Sequence, residues 1–261
     1  MKKLLSIELK KIMPYPTFWI FAGLYIVMVV LAFCSIASLK IQGNGPLAMI
    51  QLTSYYTFPD IWHTLTYIAG FFNLLLGVLI IILVTNEFTF RTLRQNIIDG
   101  WTLTNFLTAK IILLVFLALC TAVFVFLFGM IYGLIKSPSV DAADMFAQIS
   151  FLLAYFIQAL AYFCFALFMG TLFKKAGTGI IIFLVYSKIA EPLIGWKLPD
   201  NIKAYLPFHN ISKLIDIPAV KMAGITVYNS ESPLGIHFAA TLIYSAAFIF
   251  ATYLLLRKRD N

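Results

Sequence analysis

Charge is scarce in this chain. Asp, Glu, Lys and Arg together make up 11% of its 261 residues, while apolar types make up 62%. A soluble domain carries about 25% charged and about 45–50% apolar residues, so a water-soluble globule is excluded. Acids are the scarcer sign, eleven against nineteen Lys and Arg, which leaves a formal charge of +8. The basic residues form no block with interleaved aromatics, so nucleic acid is excluded as a partner and membrane topology explains the excess. Cysteine is limited to Cys34, Cys120 and Cys164, each inside an apolar run without CxxC or metal-ligand spacing. They read as small buried apolar residues.

Catalytic signatures are missing as well. The chain has no GxxxxGK[ST] phosphate loop, no HExxH, no GxSxG and no pair of intramembrane aspartates. ATP hydrolysis is therefore not expected on this polypeptide, and no catalytic residue, metal or cofactor is assigned to it. His63, His209 and His237 stand far apart in sequence and read as interfacial polar residues.

What the chain does have is long apolar runs, at about 17–38, 61–85, 104–135, 146–173, 177–194 and 235–256. Each approaches or exceeds the roughly 20 residues that a helical span requires. They predict an all-α membrane protein with six transmembrane helices in a single domain, 1–261. The first run is too long for a signal peptide, and five more follow it. Sorted by alternate loops, twelve Lys and Arg fall on the side of the termini and six on the other, with Lys188 inside the fifth span. The positive-inside rule then places both termini in the cytoplasm of a multi-pass protein of the cell membrane.

Two short segments carry amphipathic patterns. Residues 1–15 place Leu5, Leu9, Ile12 and Met13 on one arc, with Lys3, Lys10 and Lys11 opposite, before Pro14 and Pro16. This predicts an interfacial helix with its lysines near anionic lipid phosphates. Between the second and third spans, residues 86–101 place Phe90, Leu93 and Ile97 on one stripe, with Glu87 and Arg91 four apart. Gly100 suits a helix stop, and Thr102 or Thr104 a following cap. The segment predicts a cytoplasmic helix that displays Arg91, Arg94 and Gln95. Spacing alone leaves open whether it is an ordinary solvated loop helix or one that transmits force.

Polar residues inside the membrane are few. Lys188 and Glu191 lie one helical turn apart, read either as a pathway pair or as a lysine that neutralises its neighbour or snorkels outward. Asn73 and Gln158 sit near the centres of spans two and four and read as interhelical hydrogen-bonding groups, with substrate contact as the other reading. Pro192 is expected to end the fifth span early, and residues 195–234 to hold an outer re-entrant segment. Gly129 with Gly133, and Ala166 with Gly170, form small-xxx-small pairs.

Glu87, the Arg91-Thr92-Leu93-Arg94 run, Gly100 and Lys110 together resemble the pattern of ABC-2 type transporter permeases, in which a Glu precedes GTLR and a Lys follows on the next helix. Glu8-Leu9-Lys10-Lys11 before a Pro-containing start of span one, the six-span layout and the long outer segment are similar too. In size the chain is closest to small permeases of peptide-antibiotic export or immunity. It carries Arg91 where many of those members have Gly. The resemblance implies a type V exporter-like fold in a bacterial membrane and a second permease subunit, identical or related. It also implies two copies of a cytosolic ATPase that holds ATP and Mg. The helix at 86–101 becomes the coupling helix, with Glu87, Arg91, Thr92, Arg94 and Gln95 as its coupling residues. A Phe-rich, charge-poor wall suits an amphipathic, peptide or lipid-like substrate. The alternative readings are a polytopic enzyme acting on lipid and a non-transporting immunity protein that binds a membrane-active peptide.

Overall fold

The computed structural model describes residues 2–38, 56–90, 92, 95, 100, 102–137, 141–203, 205–218 and 235–258, the side chains of residues 2, 3, 200 and 201 excepted. The described residues form α1 (Lys2–Ile12), α2 (Pro16–Ser38), α3 (Ile61–Thr89), α4 (Leu103–Lys136), α5 (Ala142–Phe146) and α6 (Ser150–Phe173). They continue with α7 (Ala176–Val185), a π-helical turn (Tyr186–Ala190), α8 (Glu191–Lys197), α9 (Asp200–Lys203), α10 (Pro207–Lys213) and α11 (Ile236–Arg257). Six stretches are long and apolar enough to cross a membrane: α2, α3, α4, α5 with α6, α7 through α8, and α11. Their ends fall within four residues of the expected ones throughout.

Local chemistry explains most of the boundaries. Pro16 opens α2, where its missing N–H costs nothing. The Thr102 side chain caps α4 by accepting from the Asn105 N–H at 3.2 Å, which settles the choice between Thr102 and Thr104. Gly100 just before it has φ +89°, the left-handed region that glycine enters without strain. Lys174 ends α6 at φ 54°, donating its N–H to Gly170 at 3.1 Å, and α7 starts two residues later.

Three span ends differ from expectation by three or four residues: the fourth span starts at Ala142, and two others have a local cause. The α3 helix runs on through Thr89, because backbone hydrogen bonding continues past the point where polar Asn86 and Glu87 end the apolar run. Nor does Pro192 end the fifth span. It lies in the first turn of α8, and the preceding i→i+5 turn lets the helix pass it and continue to Lys197.

The central member is α6, which packs against α3, α4 and α11. Its span is 72% buried inside the protein, against 17% for α2 at the periphery. Small residues set the distances. Gly170 lets α6 approach Val84 and Ile81 of α3, and Gly77 leaves room for the Phe183 ring. Gly129 and Gly133 face the rings of Trp62 and Phe58, so this GxxxG seats aromatic rings instead of a second helix backbone. Phe165 on α6 contacts Phe183, Tyr186, Phe208 and Phe248, which joins α7, the π turn, α10 and α11 in one aromatic cluster. Tyr56, outside the spans, packs edge-on against Phe33 of α2. Burial, and then Tyr132 nearby, push its hydroxyl up to about 12, so it stays neutral.

Candidate functional site

At the end of the bundle where α1, the α3 terminus and the start of α4 meet, four ionisable side chains converge. Lys110 is seven residues into α4, and its Nζ donates to Glu8 Oε2 of α1 and Glu87 Oε1 of α3, each at 2.6 Å. The Lys11 ammonium lies 3.4 Å from Glu8 Oε1 and 3.5 Å from Glu87 Oε1. Two carboxylates against two ammonium groups leave the cluster neutral. It is also dry. The side chains of Glu8, Lys110 and Glu87 are 1%, 5% and 10% exposed, and Lys11 alone reaches water appreciably, at 33%.

Neutrality and proximity are what make such burial tolerable. An isolated ion would cost several kcal/mol to desolvate, and removing one partner from a buried pair typically costs about 3–5 kcal/mol. The arrangement therefore locks three elements together: no one of α1, α3 and α4 can move away without exposing or orphaning a charge. Beside it lies a cavity of about 180 Å³, lined by Ile12, Tyr15, Leu83, Asn86 and Phe90 together with the charged residues. Asn86 donates to the Tyr15 hydroxyl at 2.8 Å, a second tie between α3 and the turn after α1.

This geometry revises the reading of α1. Ile12 of its apolar arc is 5% exposed and packs on protein, and Lys11 faces carboxylates instead of lipid phosphate. Lys10 is exposed. The Lys3 side chain lies outside the described residues. In the segment after α3, Arg91 and Arg94 also lie outside them, while Thr92 and Gln95 are helical. The Thr92 hydroxyl donates to the Glu87 carbonyl at 3.3 Å. The Glu87 carboxylate bonds Lys110.

A second polar system lies among the spans. The Tyr155 hydroxyl of α6 bonds Tyr25 of α2 and donates to Asn73 Oδ1 of α3 at 3.0 Å, so three helices share one buried chain of hydrogen bonds. Gln158, one turn further along α6, donates to the Ile211 carbonyl of α10 at 3.0 Å. Gly70 makes room for its amide oxygen. Glu191 Oε1 accepts the His209 N–H at 2.7 Å, and His63 Nε2 bonds the Asp216 carbonyl at 2.8 Å. His237 Nδ1 bonds Asn210 Oδ1 at 2.7 Å. These bonds, with Phe208 at 4.9 Å from Phe165, hold α10 inside the bundle. Phe165 lies fifteen residues into α6, about 22 Å along its axis at 1.5 Å per residue. The described part of 195–234 therefore includes a helix that dips between the spans.

Lys188 and Glu191 do not pair. The wider turn at Tyr186–Ala190 rotates positions three apart away from each other, sending Glu191 inward at 2% exposure. The Lys188 ammonium instead lies 4.9 Å from the Phe71 ring centre and 5.9 Å from that of Tyr162.

Missed by sequence reasoning were the approach of Glu8 to Lys110, the Tyr25–Tyr155 link and the anchoring of α10 by two of the histidines. The first two join residues 102 and 130 positions apart, beyond the reach of any helical periodicity. Among the described residues no group of His, Cys, Asp or Glu is placed to hold a metal ion.

No curated protein and no solved structure matches the chain. A family match does exist over residues 47–261, which takes in Glu87, Lys110, the α6 polar residues and Lys188 but leaves Glu8 and Lys11 outside it. Since that match covers most of the sequence, the chain belongs to the family described as "Protein of unknown function (DUF2705)".

Proposed function

We propose that this chain is the membrane-spanning permease subunit of an ABC-2 type exporter, which moves an amphipathic, peptide or lipid-like substrate with energy from a separate ATPase. The observation that carries this reading is the convergence of Glu8, Glu87 and Lys110. These three of the residues on which the resemblance rests are far apart in sequence, yet they meet at one joint. In this reading the joint lies at the root of the coupling segment, on the cytoplasmic face of the cell membrane.

The mechanics follow from rigidity. Two cytosolic ATPase subunits, which hold the ATP and Mg, close on nucleotide and displace the segment at 86–101 through Arg91, Thr92, Arg94 and Gln95. Glu87 is continuous with α3 and bonded to Lys110, so that displacement is passed to α4 and, through Glu8, to α1. The interfacial helix then follows the spans while Lys10 keeps to the lipid surface. A second permease subunit supplies the other wall of the pathway.

Purification in mild detergent should bring down an ATPase subunit together with ATPase activity; a solitary, ATP-indifferent protein would overturn the reading. Replacing Arg91 with Glu should leave the complex able to hydrolyse ATP but lower transport per ATP at least about tenfold, measured in proteoliposomes. Unchanged coupling would remove Arg91 from this role.

A further inference from the structure

Lys188 is an exposed cation far from either end of its span. It stands twelve residues beyond Ala176 and nine before Lys197, about 18 Å and about 14 Å along the helix. Its ring contacts report the same depth. Phe71 is ten residues into α3 and Tyr162 twelve into α6, about 15 Å and about 18 Å from those helix starts. With a hydrocarbon layer of about 30 Å, all three positions fall near its middle. A lysine that snorkels directs its ammonium toward the headgroups. This one is held back over two ring faces.

The surface around it is open and apolar. Phe71 is 60% exposed and Ile181, two turns below Lys188, is 62% exposed. Ring faces attract a cation but do not neutralise it, and a charge at this depth calls for a counter-ion. Among the described residues no carboxylate pairs with it, the Glu191 side chain one turn on being turned inward. Within the six spans the acids are Glu87 and Asp144 near helix ends and Glu191, which is buried and bonded to the His209 N–H. A second copy of the same spans offers the same three and no other.

We infer that Lys188, Phe71 and Tyr162 form a mid-membrane binding site for an amphipathic guest with one anionic group, the anion meeting the Lys188 ammonium and the apolar chain lying along Phe71 and Ile181. The guest is a molecule in passage, since the headgroups of resident lipids sit at the interface, about 15 Å from this level. This rests on the exporter reading for the guest's passage and adds the sign of its charge.

The test uses the full chain in phosphatidylcholine nanodiscs, without ATP or partner. Its probes are a photoreactive long-chain alkyl sulfate and the matching neutral alcohol, with labelled peptides mapped by mass spectrometry. The sulfate should label the peptides bearing Phe71 and Lys188 roughly tenfold more than the alcohol does. Lys188→Met should bring it down to the alcohol's level, and Lys188→Arg should keep it. Alcohol labelling of the other spans, unchanged in Lys188→Met, checks that the variant is folded. Equal labelling by both probes, or sulfate labelling that survives Lys188→Met, overturns the site. Loss of sulfate labelling in nanodiscs rich in phosphatidylglycerol overturns the guest in favour of resident lipid. Failure to recruit an ATPase would sink the exporter reading and leave these results standing.

Discussion

Lys110 and Lys188 are both lysines inside helices long enough to cross a membrane, yet their ammonium groups are satisfied in opposite ways. Lys110 sits about 10 Å from the start of its helix and is enclosed by two carboxylates at 2.6 Å. Lys188 lies deeper along its helix, has two ring faces for neighbours and is open on one side. In the first case the protein completes the charge by itself and gains a joint between three elements. In the second it leaves the charge incomplete. A saturated charge is a structural part, whereas an unsaturated one is a place for something else, and the two should respond differently to mutation.

The sharpest contrast comes from removing each charge. Lys110→Met leaves Glu8 and Glu87 buried without a full counter-charge, and should cost about 3–5 kcal/mol of stability, read as a large fall in thermal midpoint in detergent. Adding Glu8→Gln and Glu87→Gln to Lys110→Met should recover at least about half of that loss, because no orphaned charge remains. A triple variant no better than the single one would mean that Lys110 acts through packing. For a neutral link, Gln158→Leu should cost about 0.6–1.7 kcal/mol and speed hydrogen exchange in Pro207–Lys213, since the Ile211 carbonyl loses its donor. The smallest effect is expected at the open site. Lys188→Met gives up ring contacts worth about 0.5–1 kcal/mol and is relieved of a partly desolvated charge, so the midpoint should scarcely move. If it falls as far as in Lys110→Met, the distinction between the two lysines fails.

Much of the fold was legible because hydropathy reports directly on lipid contact. A run such as Pro16–Ser38 has no other stable home, and its ends follow from Pro16 and the polar residues beyond it. Legibility ended where hydropathy and hydrogen bonding part company. Asn86 and Glu87 interrupt the apolar run but not the helix, so hydropathy ends the second span four residues before the helix does. The i, i+3 relation of Lys188 and Glu191 assumes 3.6 residues per turn, and a single i→i+5 turn voids it. Gly129 and Gly133 were visible as a motif, but their ring partners were not, because Phe58 and Trp62 are distant in sequence. At the candidate site, Glu8, Glu87 and Lys110 are all part of a resemblance in pattern. Nothing in local spacing announces that Glu8 completes the cluster.

The burial of that cluster also decides how α1 responds to ionic strength. Mobile ions screen charges that water can reach, with a Debye length of about 3 Å at 1 M salt, and act far less on buried pairs. Lys10, exposed on α1, is open to such screening, whereas the Lys110 contacts with Glu8 and Glu87 are closed to it. A wash that strips peripheral proteins from anionic membranes should therefore leave this helix in place, fastened from within.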